Sequence, residues 1–137
     1  MTELTKGQKT ALKILEAASR CISKKGIEKA SITNIALEAE VKRPLIAYHF
    51  PKKDEIFFRV MIHISEQLTL ALDSQKNHKK GIPELVDFSR QYFNFFFSSP
   101  HYFHCFLLFF YQSSINKDYR SLQTKLNAKA QLSLIHI

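Results

Sequence analysis

Apolar residues near the start of the chain return at helical intervals. Ala11, Ile14, Leu15, Ala18 and Ile22 fall at i, i+3, i+4, i+7 and i+11, which puts them on one side of a helix. The stripe predicts a helix from Gln8 to Lys25. Lys24 and Lys25 sit in its last turn, where cations suit the dipole, and Gly26 is expected as a left-handed cap. Ser31 is the next N-cap candidate, with Asn34 at the capping-box position. Ile32, Ile35, Ala36 and Ala39 then form a short second stripe that stops near Glu40. A third helix, Arg43 to Phe50, carries Pro44 in its first turn and is ended by Pro51. A fourth begins around Lys52–Asp54 with the stripe Phe57, Met61, Ile64, Leu68 and Leu72. The polar run Gln75–Pro83 reads as a loop. Three further helices are expected, from Pro83 to Phe97, from Tyr102 to Ser113, and from near Asp118 with Tyr119, Leu122 and Leu126. The predicted class is all-α.

The second and third helices are short, and the break between them is three residues long. That is the size of a helix-turn-helix, whose second helix enters the major groove of DNA. At about 100° per residue, with Ile46 set at 0°, Phe50 lies near 40° on the same core side. Pro44, Leu45, Tyr48 and Lys52 then lie between about 160° and 260°, away from the core. Lys42, Arg43, Lys52 and Lys53 stand at the two ends of this outward surface, placed for the two phosphate backbones beside a groove. Pro44 and Leu45 suit thymine methyl groups, and Tyr48 and His49 can donate to phosphate or base edges. The plainer alternative is a helical hairpin with a solvated basic rim.

Charge favours the first reading without deciding it. The 137 residues carry a formal net charge of +8, which favours polyanionic partners. The first 60 residues hold 12 Lys and Arg against 7 Asp and Glu, and the remainder 8 against 5. Cys21 and Cys105 lie far apart in apolar helical patterns, as expected of buried free thiols. The N-terminus lacks the apolar core of a signal peptide, and no run of 18 apolar residues occurs. The cytoplasm is the expected compartment, and no membrane partner is expected.

The segment Ile14–Phe57, "ILEAASRCISKKGIEKASITNIALEAEVKRPLIAYHFPKKDEIF", resembles the N-terminal domain of TetR-type transcriptional regulators. The shared features are the I-L-x-A-A start, the K-K-G-I turn before Ser31, the I-A-x-x-A second helix and the "YHFPKKDEIF" end. Glu40 stands where such proteins usually have glycine, Lys42 where a Ser cap is common, and Thr33 where Arg or Lys is frequent. The resemblance implies DNA-facing roles for Ser31, Thr33, Lys42, Arg43, Leu45, Tyr48, His49 and Lys53. It implies a helix-turn-helix domain over residues 1–53, followed over 54–137 by a partial helical domain for effector binding and dimerisation. It further implies a ligand-responsive repressor, a homodimer on a near-palindromic double-stranded operator. A basic helical interaction module and a small-molecule-binding helical protein are the alternatives.

The second half holds the aromatic run Tyr92–Tyr111, with eight Phe and three Tyr. Phe103, Phe106, Phe109 and Phe110 are expected on one helical side, and Phe88, Tyr92, Phe95 and Phe96 on another. Core packing explains them; a pocket for an apolar or aromatic effector, lined by Phe88, Tyr92, Phe96, Phe103, Phe106 and Phe110, is the sharper expectation. His101, His104 and Cys105 do not share a face, so no metal site is expected. Gly7, Gly26 and Gly81 stand alone rather than in a phosphate loop, and no catalytic motif is present. No cofactor and no enzymatic activity are expected. The final residues Leu132–Ile137 can be encoded by DNA resembling a transposon end used as a library adapter. The expectation is an adapter-derived tail on a naturally longer protein, with a genuine apolar tail as the alternative.

Overall fold

The computed structural model describes residues 3–73 and 80–135. Among these, seven α-helices occur: α1 Lys6–Lys25, α2 Ile32–Ala39, α3 Arg43–His49, α4 Lys53–Asp73, α5 Ile82–Ser98, α6 Pro100–Ile115 and α7 Lys117–Ile135. No helix among the described residues is long and apolar enough to cross a membrane. Residues 74–79, which make up most of the expected loop, lie outside the described residues. So do His136 and Ile137 at the end of the Leu132–Ile137 run, while α7 continues as far as Ile135.

Local chemistry sets the helix ends. α1 starts earlier than its apolar stripe because Thr5 and Gln8 form a capping box. The Thr5 hydroxyl accepts from the Gln8 amide at 3.1 Å, and the Gln8 side chain accepts from the Thr5 amide at 2.9 Å. Gly26 ends α1 at φ 84° and ψ 168°, a positive φ with an extended ψ rather than the expected left-handed helical pair. Ser31 caps α2 by accepting from the Asn34 amide at 3.1 Å. The Asn34 side chain turns away to the Lys29 carbonyl, 3.1 Å off, so the reciprocal half of that box is not made.

The core runs without a break from α1 to α6. Ile14, Ala18 and Ile22 of α1 bury against Ile35 and Ala36 of α2, Ile46 of α3 and Phe57, Val60 and Ile64 of α4. Phe96 of α5 and Tyr102, Cys105 and Phe109 of α6 extend the same cluster, and Leu122 and Leu126 of α7 pack on its edge. α1 therefore touches α2, α4 and α6, and α4 is shared between α1 and α5, α6 and α7. The buried side of α6 is Tyr102, Cys105, Phe109 and Ser113. That corrects the expected grouping of Phe103, Phe106, Phe109 and Phe110. Phe103 and Phe110 are 43% and 60% exposed, because Tyr102 and Cys105 find polar partners on α1 and set the rotation of the helix.

Candidate DNA-binding surface

The turn between α2 and α3 is built on Glu40, at φ 57° and ψ 42°, in the left-handed region. The amide of Val41 donates back to the Ala36 carbonyl at 3.0 Å and that of Glu40 to Leu37 at 3.2 Å, which satisfies the last carbonyls of α2. The chain therefore makes the tight turn at a residue with a Cβ, at a cost of about 1 kcal/mol relative to glycine. Half-buried Val41 then packs on the core, and α3 begins at Arg43 with Lys42 as an N-cap that makes no side-chain hydrogen bond.

Burial divides α3 cleanly. Ile46 is fully buried and Phe50 nearly so. Lys42, Arg43, Pro44, Leu45, Ala47 and Tyr48 are exposed, Tyr48 at 79%. His49 is half-buried, with its ring edge-on to Tyr48 at 5.1 Å. α3 thus brings Lys42, Arg43, Pro44, Leu45 and Tyr48 onto one solvent-facing surface. Thr33 is exposed on α2, while Ser31 is half-buried and its oxygen is engaged as the cap. Lys52 is exposed. Lys53 is tied back, donating to the Glu28 carbonyl at 3.1 Å with its ammonium 5.4 Å above the Phe57 ring. An ammonium has three donors, so that bond leaves two for a phosphate.

The N-terminus of α1 belongs to the same neighbourhood, a feature the sequence reading passed over. A Cβ placed at Gly7 would stand 4.0 Å from the His49 ring. Gly7 therefore lies beside the end of α3, in a stretch of α1 that also carries exposed Lys6 and Lys9. The Thr5-x-x-Gln8 spacing was the available signal. On the far side, Glu38 of α2 accepts from Arg20 of α1 at 2.9 Å, and that bond holds its carboxyl below the usual range.

The effector-pocket candidates assemble in part. Phe96 meets Tyr92 at 5.1 Å and both Phe103 and Phe106 at 5.6 Å between ring centroids, and Phe88 stacks on Tyr92 at 6.3 Å. Phe110 is turned to solvent. A shallow cleft of about 230 Å³ lies elsewhere, between Ile27 and Lys29 on one side and Leu108 and Tyr111 of α6 on the other. His101, His104 and Cys105 go separate ways. His104 Nδ1 pairs with the Ser23 hydroxyl at 2.7 Å, and Cys105 donates to the Ser19 carbonyl at 3.2 Å. Burial pushes the Cys105 thiol up to about 12. Among the described residues no group of three side chains is placed to hold a metal ion.

The model of the family described as "Bacterial regulatory proteins, tetR family" matches residues 14–60, which span the last three turns of α1, all of α2 and α3, and the start of α4. The N-terminal domain is thus similar to the one that this family's model describes. Around it, the tetR-type fold extends over nearly the whole chain. A TetR-like transcriptional regulator from Rhodococcus sp. RHA1 superposes with a TM-score of 0.75 at 18% identity, over 95% of this chain and 69% of that one. A second transcriptional regulator from the same organism gives 0.71 at 17% identity, over 85% of this chain and 62% of that one. The chain thus spans about two thirds of the length of these two structures. No curated protein sequence matches it.

Proposed function

We propose that the chain is a sequence-specific DNA-binding transcriptional regulator that acts by binding rather than by turnover. The supporting observation is the division of α3: Ile46 and Phe50 anchor it to the core, while Arg43, Leu45 and Tyr48 stand free on a basic surface. In this reading residues 1–53 read the operator and residues 54–137 carry effector binding and dimerisation. Lys42, Arg43, Lys52 and Lys53, joined by Lys6 and Lys9, contact phosphates. Pro44, Leu45, Tyr48 and His49 meet base edges, and Ser31 and Thr33 support from α2. Two copies place two α3 helices in successive major grooves, about 34–36 Å apart, on a near-palindromic site. An apolar or aromatic effector lodged among Phe88, Tyr92, Phe96, Phe103 and Phe106 changes that separation, which is the behaviour of a ligand-responsive cytoplasmic repressor.

Selection of duplexes from a random pool tests the reading directly. The expected outcome is enrichment of an inverted repeat whose half-sites lie about one helical turn apart, bound with a steep salt dependence. Enrichment of no sequence, or binding unchanged by Tyr48→Ala together with Arg43→Ala, overturns it. Sedimentation of the free chain and of its DNA complex gives the number of copies.

A further inference from the structure

One partly buried carboxylate serves three helices. Glu16 of α1 accepts at Oε1 from His63 Nε2 of α4, at 2.7 Å, and from the hydroxyl of Tyr102 of α6. Its other oxygen, Oε2, faces His101 Nε2 at 3.7 Å, beyond hydrogen-bonding distance. That imidazole nitrogen is buried and has no hydrogen-bond partner among the described residues. A buried polar atom left in this way calls for a physical explanation.

His101 and Tyr102 are consecutive residues in the first turn of α6, so their side chains leave the helix about 100° apart. Both are aimed at the same carboxylate. One is seated on it and the other stops short. Cys105, the next residue along the same side of α6, is fixed to the Ser19 carbonyl and gives the helix a pivot on α1. A small rotation of the first turn about that pivot lengthens the Tyr102 contact and shortens the His101 contact.

Tyr102 is also the aromatic link to α5. Its ring stacks on Phe95 at 5.8 Å, and Phe95 meets Phe96 at 5.1 Å. A displacement within the α5–α6 aromatic cluster is therefore a displacement of Tyr102. On the other side, His63 belongs to α4, whose first residue Lys53 is bonded to the Glu28 carbonyl just ahead of α2.

We propose that Glu16 is a two-position latch between α6 and the DNA-binding helices, with Tyr102 seated in one position and His101 in the other. The aromatic packing around Phe95 sets which is occupied, and the seat of α4 on α1 changes with it. Glu16, Tyr102 and His101 are positioning residues that act on DNA through α4. The proposal rests on the reading of the chain as a DNA-binding regulator.

The test uses the full chain and two independent readouts. The first is the ring-nitrogen NMR signals of His101 and needs no DNA. Tyr102→Phe removes the seated donor and is expected to move these signals to those of a hydrogen-bonded imidazole. Phe95→Leu, which removes no hydrogen-bonding group, is expected to move them the same way. The second readout is affinity for a duplex that the unaltered chain selects from a random pool. Tyr102→Phe is expected to change it at least fivefold, at the low end of typical coupling between sites. Adding His101→Phe is expected to abolish most of that change. His101 signals that stay put in both Tyr102→Phe and Phe95→Leu overturn the latch. So does a DNA effect that persists undiminished in the double variant. Failure to select any duplex overturns the DNA-binding reading instead, and the His101 signals still decide the latch.

Discussion

His63 of α4 and Glu16 of α1 meet at 2.7 Å inside the helical assembly, 47 positions apart in sequence. The hydrogen bond from His63 pulls the Glu16 carboxyl down to about 2; burial opposes the shift and the Tyr102 hydroxyl reinforces it. A carboxyl depressed in the folded state contributes stability at pH values above its unfolded pKa of about 4.3, and loses it as pH falls toward 2. The Glu16 side chain is about a third exposed, so solvent screening reduces its contribution to on the order of 1–2 kcal/mol. Urea unfolding between pH 6 and pH 3 is expected to fall more steeply for the native chain than for Glu16→Gln. Parallel curves would show that the carboxylate does not hold α4 to α1.

Glu40 offers a gain rather than a loss. Its φ of 57° is a conformation that glycine adopts without strain. Glu40→Gly is expected to raise stability by about 1 kcal/mol, read as a higher urea midpoint with an unchanged slope. Leu37→Gly, three residues earlier inside α2 at an exposed position, is the contrasting control. It is expected to cost about 1 kcal/mol in helix propensity.

Ile46 and Tyr48 mark the buried and the exposed side of one short helix. Ile46 is fully buried, so Ile46→Ala is expected to cost about 2–5 kcal/mol and to unfold α3 and what rests on it. Tyr48→Ala is expected to change stability by less than about 0.5 kcal/mol, since it removes an exposed ring. Its effect should fall on DNA affinity, about tenfold or more if the ring contacts a base. Equal thermal midpoints for the two variants would contradict the division of α3.

The cations make a graded prediction. Arg43→Ala and Lys42→Ala are expected to leave stability unchanged and to reduce the slope of log affinity against log salt by about 0.9 each. Lys53→Ala should behave differently, because its ammonium also bonds the Glu28 carbonyl. It is expected to lose both slope and thermal stability. An unaltered salt slope in all three variants would remove these residues from the phosphate contacts.

Most of the fold was legible from periodicity, and the reason shows in α3. Its core and solvent sides differ so sharply that a 100° wheel places Ile46, Phe50 and Tyr48 as the structure does. α6 is the opposite case. From Tyr102 to Tyr111 it is apolar all round, apart from its histidine, so spacing alone cannot choose a buried side. The choice is made by Glu16 and the Ser19 carbonyl, which bond Tyr102 and Cys105 across 86 positions of chain. The same distance in sequence hid the Glu16 cluster, since a single acid beside an apolar stripe looks like a solvated flank. The early start of α1 was hidden differently. The Thr5–Gln8 box is readable, but an apolar stripe gives no information about the polar turn ahead of it.

α4 has a mechanical consequence that follows from its length alone. It runs 21 residues without a break, from Lys53 beside the short helices to Asp73, and His63 holds it near the middle. Ten residues of helix separate Lys53 from that fixed point, a lever arm of roughly 15 Å. A tilt of about 5° around His63 carries the Lys53 end through roughly 1 Å. That distance is enough to break a hydrogen bond, so the end of the molecule that carries α2 and α3 amplifies adjustments at its centre too small to disturb the core.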